Sequence, residues 1–336
     1  MSEDGTIREV ALMVNGVRVG LPQWRGRAES DVDTLRAEIT DWVTSTALRD
    51  LVECFGQRWP TGDIGAVLTG LEEISARHWD FRRGRERAAA VPTEFSVEVT
   101  ARVVAAAAAL GLRHRDLPDG RAYDHVLIHG GLLRGCLARA GHAAGLLDGS
   151  IDSPEVCGLG SFRPLTAPER AMAVEWALGE CGDEFDAMDI AVRASFPDAV
   201  RGGDSGAMVA DRPQDSCRTR EYRTPGGTRI RVLAAPSSDP GRRANTADTC
   251  TFWAESVGRL GPGQRVLLVT TEHFVPFQHA DAIRVLGIPY GCAVETIGVD
   301  PAGMMNGRPG PALTAAHYLQ EIRSAIRSMR LLVAGL

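Results

Sequence analysis

Apolar residues in the first third of the chain recur at helical spacing. One series, Leu35, Ile39, Trp42, Val43, Leu48 and Leu51, follows Asp31, which is placed to cap it. A second, Val67, Leu68, Leu71 and Ile74, follows Asp63, and a third runs from Ser96 to Leu110 with Gly111 in the stop position. Ahead of them, Asn15-Gly16 within residues 10–19 is a two-residue hairpin signal. From Asp124 onward the pattern becomes an alternation. Strands are expected over residues 126–128, 156–159, 230–234, 266–269 and 293–297, and helices over 132–147, 167–180, 246–260, 277–286 and 314–332. Repeated strand–helix alternation predicts an α/β fold: a doubly wound, mainly parallel sheet of about five strands. It would occupy residues 121–336, behind a mostly helical region over 1–120. Residues 182–228, rich in Gly, Asp and Arg, read as a polar, partly mobile excursion.

In open α/β sheets ligands bind beyond the carboxyl ends of the strands. The residues standing there form the candidate site. After the first expected strand come His129, Gly130 and Gly131, then a helix start carrying Arg134. The glycines permit close backbone approach, and a helix N-terminus offers unpaired N–H groups to an anion. The second strand end supplies Gly160, Ser161 and Arg163, and the third is followed by Ser238 and by Arg243, Asn245 and Thr246 at a helix start. The fourth supplies Thr270, Thr271, Glu272 and His273. His273, with Glu272 or Asp281, suits acid/base work near neutral pH. Glu169 in Thr166-Ala167-Pro168-Glu169 fits a capping box and also stands as a candidate general base.

Composition narrows the chemistry. The chain has no lysine, so all 37 basic residues are arginine. That excludes a Walker A lysine, a pyridoxal-phosphate Schiff base and a lysine general base. An anion must be met by arginine, backbone N–H or a helix end. The seven cysteines are scattered singly and the eight histidines show no metal-ligand spacing, so no metal is expected. A net charge of −6 without a basic run argues against nucleic acid as a partner. No apolar run approaches the ~20 residues of a membrane helix, and an acidic start without an apolar stretch behind it points to a cytoplasmic protein.

Residues from about 124 to 300 resemble the ElyC/SanA/YdcF-like family on short motifs in the same order. These are Ile128-His129-Gly130-Gly131, then Gly158-Leu159-Gly160 with Glu169, then Arg243-Ala244-Asn245-Thr246, then Val269-Thr270-Thr271-Glu272-His273 through Gly287. The arginine that family places shortly after the histidine is absent, Pro276-Phe277-Gln278 standing there instead. The acidic residue before its Asn-Thr helix is also replaced, by Leu233-Ala234-Ala235-Pro236. The resemblance implies a Rossmann-like fold, a polar site at the strand ends, and nucleotide-like ligands, S-adenosylmethionine among them.

Two functions fit these residues. One is an enzyme, transferase or hydrolase, acting on a small anionic or nucleotide-like metabolite. The other is a non-catalytic metabolite-binding or regulatory protein. Its helical region would meet a partner, with Trp24, Trp59 and Trp79 as the candidate surface.

Overall fold

In the computed structural model the described residues are 18–81, 93–113, 115, 117–303, 305 and 307–336. The hairpin expected at Asn15-Gly16 lies outside them.

Among the described residues four helices precede the sheet: α1 (Ala28–Val43), α2 (Thr46–Cys54), α3 (Ile64–His78) and α4 (Val97–Ala109). Asp63 and Ser96 cap α3 and α4 through the N–H groups of Ala66 and Val99, as their positions predict. Asp31 behaves differently. Helix α1 starts earlier, and the Asp31 carboxylate reaches back to the N–H groups of Arg25 and Arg27 at 3.1 and 2.9 Å. The series expected to run from Leu35 to Leu51 is broken at residues 44–45, where Ser45 caps a new helix.

The α/β part is a seven-stranded sheet ordered β3-β4-β5-β2-β1-β6-β7. Strands β1 (His125–His129), β2 (Glu155–Gly160), β5 (Arg229–Ala234), β6 (Arg265–Thr271) and β7 (Ala293–Val299) are the five expected, and all pair in parallel. Helices α5 (Leu133–Leu147), α6 (Ala167–Glu175), α8 (Thr246–Phe252), α9 (Val275–Ala282) and α10 (Ala315–Ala334) also stand where expected. Both α8 and α9 end in a wider π-turn, over Trp253–Val257 and Ile283–Gly287.

The excursion over 182–228 is ordered structure. It holds α7 (Glu184–Ser195) and the strands β3 (Val200–Ala207) and β4 (Cys217–Arg223), which extend the sheet antiparallel beside β5. Strand β3 is exposed along its whole length, so it carries no apolar alternation for a sequence reading to find. Helix α7 did carry a signal: Asp183 caps it, and Phe185, Met188 and Val192 form a buried stripe at helical spacing.

The parallel strands alternate between two cores, which is why they read as continuous apolar runs. Val126, Ile128, Val156, Val232 and Val269 face α5 and α7, while Leu127, Cys157, Leu233 and Leu268 face α8, α9 and α10. The second of these cores continues without a break into the N-terminal helices through Trp42, Leu48, Leu68, Val103 and Leu110. Trp24 and Trp79 belong to it, fully buried, and Trp59 is half-buried under Arg49, 4.3 Å above its ring. Trp24 and Trp79 therefore build the core, and Trp59 packs against its edge. No helix among the described residues is long and apolar enough to cross a membrane.

Candidate functional site

From β1 the chain proceeds outward to β2 and β5, then returns to the far side of β1 for β6 and β7. The order reverses between β1 and β6, and the crevice outside their carboxyl ends is where such sheets hold ligands. Two adjoining cavities open there, of about 1050 Å³ and about 920 Å³. Leu132, Arg139 and Phe274 line both.

The side chain that joins them is Arg139 of α5, which is 3% exposed. Its guanidinium donates to Thr271 Oγ1 from Nε and Nη2 at 3.0 and 2.9 Å, to the His129 carbonyl at 2.7 Å, and to the Gly130 carbonyl. One cation thus ties the end of β1 to the end of β6 at the switch point. An arginine on a helix ordinarily reads as solvated. The signal was its position, three residues after Cys136 and next to Ala140 on the apolar face of α5.

The first chamber contains His129, Gly130, Gly131, Gly160, Ser161, Arg163, Arg243, Asn245 and Thr246, as expected, together with Arg242, Glu184 and Gln278. His129 is buried, and its Nε2 has no hydrogen-bond partner. Burial first, and the nearby Arg139 charge second, push its pKa down to about 3, so the imidazole is neutral at physiological pH. Gln278 Oε1 is likewise buried without a hydrogen-bond partner.

The glycine turn works differently from the expectation. A Cβ on Gly130 would come within 2.2 Å of the Leu159 carbonyl and 2.3 Å of Glu184 Oε1, so the space it leaves is used by the protein itself. The N-terminus of α5 already has its anion, since the Leu133 N–H donates to Glu169 Oε1 at 3.0 Å.

Glu169 is accordingly a structural group. It completes the capping box with Thr166 and pairs with Arg163, which reaches each of its carboxylate oxygens at 3.0 Å. Burial raises its pKa most, but the bonds from Arg163, Thr166 and Leu133 outweigh this and hold it at about 2. A carboxylate so stabilised is a poor proton acceptor. Glu272 is also engaged away from both cavities, paired with Arg115 from the segment before β1, which in turn meets Asp300 at 2.9 Å. Thr270 is fully buried and lines neither chamber.

Ser238 and Asn245 serve the loop before α8. Asn245 and Asp248 form a capping box, and Arg242 bridges Asp248 to Ser238 Oγ at 3.0 Å. The short α8 is therefore capped from within, and the arginine that secures it is Arg242. Arg243 stands exposed on the chamber wall.

Thr271, His273 and Arg134 lie in the second chamber, so the expected site residues divide between two compartments. Arg134 donates to the Gly303 and Arg308 carbonyls at 2.6 and 3.0 Å and pins the loop over that chamber.

Glu184, at the start of α7, is the acid a sequence reading passed over. Its Oε2 accepts from Ser161 Oγ at 2.7 Å and from Arg163 Nε at 3.3 Å. Its Oε1 accepts no hydrogen bond among the described residues. Burial raises its pKa, opposed by Ser161, Arg163 and Arg139. No group of three or more His, Cys, Asp or Glu side chains among the described residues is arranged to hold a metal.

Over 330 residues the chain is 31% identical to the uncharacterized protein Rv3785 of Mycobacterium tuberculosis H37Rv, covering 89% of this chain and 90% of that one. The chain belongs to the Rv3785 family. The uncharacterized protein Mb3814 of Mycobacterium bovis matches with the same identity and coverage. Residues 26–111 match the family model described as the Rv3785 N-terminal domain, which spans helices α1 to α4. No solved structure matches the chain.

Proposed function

We propose that this protein is an enzyme, a transferase or hydrolase, acting on a small anionic or nucleotide-like metabolite held in the first chamber. The observation that carries this reading is the chamber's lining at the switch point. Among the described residues, Arg139, Arg163, Arg242 and Arg243 stand there with Glu184 as the one acidic residue, beside two buried polar atoms, His129 Nε2 and Gln278 Oε1, without a hydrogen-bond partner. Buried polar atoms are costly without partners, and a ligand's polar edge would satisfy them. Together these four guanidinium groups give the chamber wall the positive charge that attracts an anion. Glu184 takes the proton-transfer role, because its Oε1 is unengaged and burial keeps its carboxyl easier to protonate than an ordinary one. The YdcF-like resemblance supports a nucleotide-like ligand, S-adenosylmethionine included.

The test is thermal unfolding with inorganic phosphate, ADP or S-adenosylmethionine, in the wild type and in Arg243→Ala and Gln278→Leu. Binding at about 100 times Kd adds about 2.7 kcal/mol to stability, which a melting shift reads directly. At least one compound should stabilise the wild type, and both variants should respond less. Absence of any shift, or equal shifts in all three proteins, overturns the reading.

A further inference from the structure

We infer that the second chamber is a subsite for another small molecule, one with an apolar chain of the medium-chain acyl class, held at the same time as the ligand of the first. The inference rests on the reading of the first chamber given above. At about 920 Å³, the second chamber is itself large enough for a drug-sized molecule, for which pockets run ~300–1000 Å³. A single ligand in the first chamber leaves it unused, because Leu132, Arg139 and Phe274 stand between the two. Ala138, Val299, Pro301, Leu313 and Ala316 make the second chamber's lining mainly apolar. Arg139, Thr271 and His273, all more than nine-tenths buried, stand on the side of the shared wall, and His142, His317, Gln320 and Glu321 are among the polar residues elsewhere on the lining. Of the acids in the lining, Asp300 is paired with Arg115 and Glu321 is buried. An amphipathic molecule matches this mainly apolar lining: chain against the apolar residues, polar end toward Arg139. Two molecules would then present their polar ends to opposite sides of one arginine.

The experiment is calorimetric titration of the full chain with decanoate, with ADP, and with decanoate in the presence of saturating ADP. Ala138→Phe on α5 and Ala316→Trp on α10 fill the second chamber from different walls, and circular dichroism confirms that each is folded. Decanoate should bind the wild type with the same affinity whether or not ADP is present. Each filling variant should raise the decanoate Kd by about tenfold or more, while the ADP Kd stays within about twofold. Absence of decanoate binding, indifference of decanoate to both folded variants, or competition between decanoate and ADP overturns the inference. If ADP fails to bind while decanoate binds and is lost in the variants, the reading of the first chamber falls and the apolar subsite stands.

Discussion

Glu169 and Glu184 face the same guanidinium, that of Arg163, from two differently built regions. Around Glu169, the junction of α6 with the start of α5 supplies donors to both carboxylate oxygens, from Arg163, Thr166 and Leu133. Around Glu184, the chamber floor supplies donors to Oε2 alone. Burial acts on both acids in the same direction, yet the pKa of Glu169 falls and that of Glu184 rises. The difference teaches that desolvation and satisfaction by donors together separate a carboxylate that holds a fold together from one left available for chemistry.

That contrast can be broken in three ways. The largest effect is expected from Glu169→Gln, which leaves Arg163 short of a partner and uncaps α5. Urea unfolding at neutral pH should show a loss of about 3 kcal/mol. The pH dependence follows from a folded pKa of about 2 against an ordinary 4.5. The stabilisation is fully present above the ordinary value and is lost as pH falls toward the folded one. The gap between wild type and variant should therefore close over that interval, and parallel curves would show that Glu169 is not the stabilising acid.

A smaller effect, of opposite sign, is expected from Gln278→Leu. Removing a buried acceptor without a partner should raise stability by about 1 kcal/mol while weakening ligand binding. A loss of stability in chemical denaturation would mean that the amide serves the fold and not a ligand.

The smallest change belongs to Glu184→Gln, within about 1 kcal/mol of wild type at neutral pH, since Ser161 can still donate to the amide oxygen. Its pH signature has the other sign. The folded pKa lies above the ordinary 4.5, so the folded wild type binds more protons than its unfolded chain, and its stability falls as pH rises through that window. The glutamine variant should lack this decline. If stability measured from pH 4 to 8 shows the same slope in both proteins, the contrast between the two acids disappears.

The five parallel strands were legible because each is buried on both faces, giving apolar runs such as Val126, Leu127 and Ile128. Strands β3 and β4 were not. They form the sheet's antiparallel edge, where Arg201, Asp204, Arg218 and Arg220 interlock in place of an apolar pattern. The candidate site was legible as a set of strand ends but not as a division. Strand order decides that Thr271 and His273 face one chamber while Gly160, Ser161 and Asn245 face the other. Glu272 read as a strand-end acid, and only Arg115, 157 positions away in the chain, reveals where its carboxylate is committed.

By itself, the sequence determined the α/β alternation, the helical region ahead of it, most of the helix caps, and the rule that any anion here is met by arginine or backbone. These are local or compositional properties, set by neighbours a few residues apart and by the absence of lysine. Only the tertiary structure decided which arginine occupies the switch point, which acid is spent on a helix end, and which acid keeps an oxygen free. Those outcomes depend on burial and on donors brought together across the sheet, and a side chain's cost or availability is fixed by that surrounding.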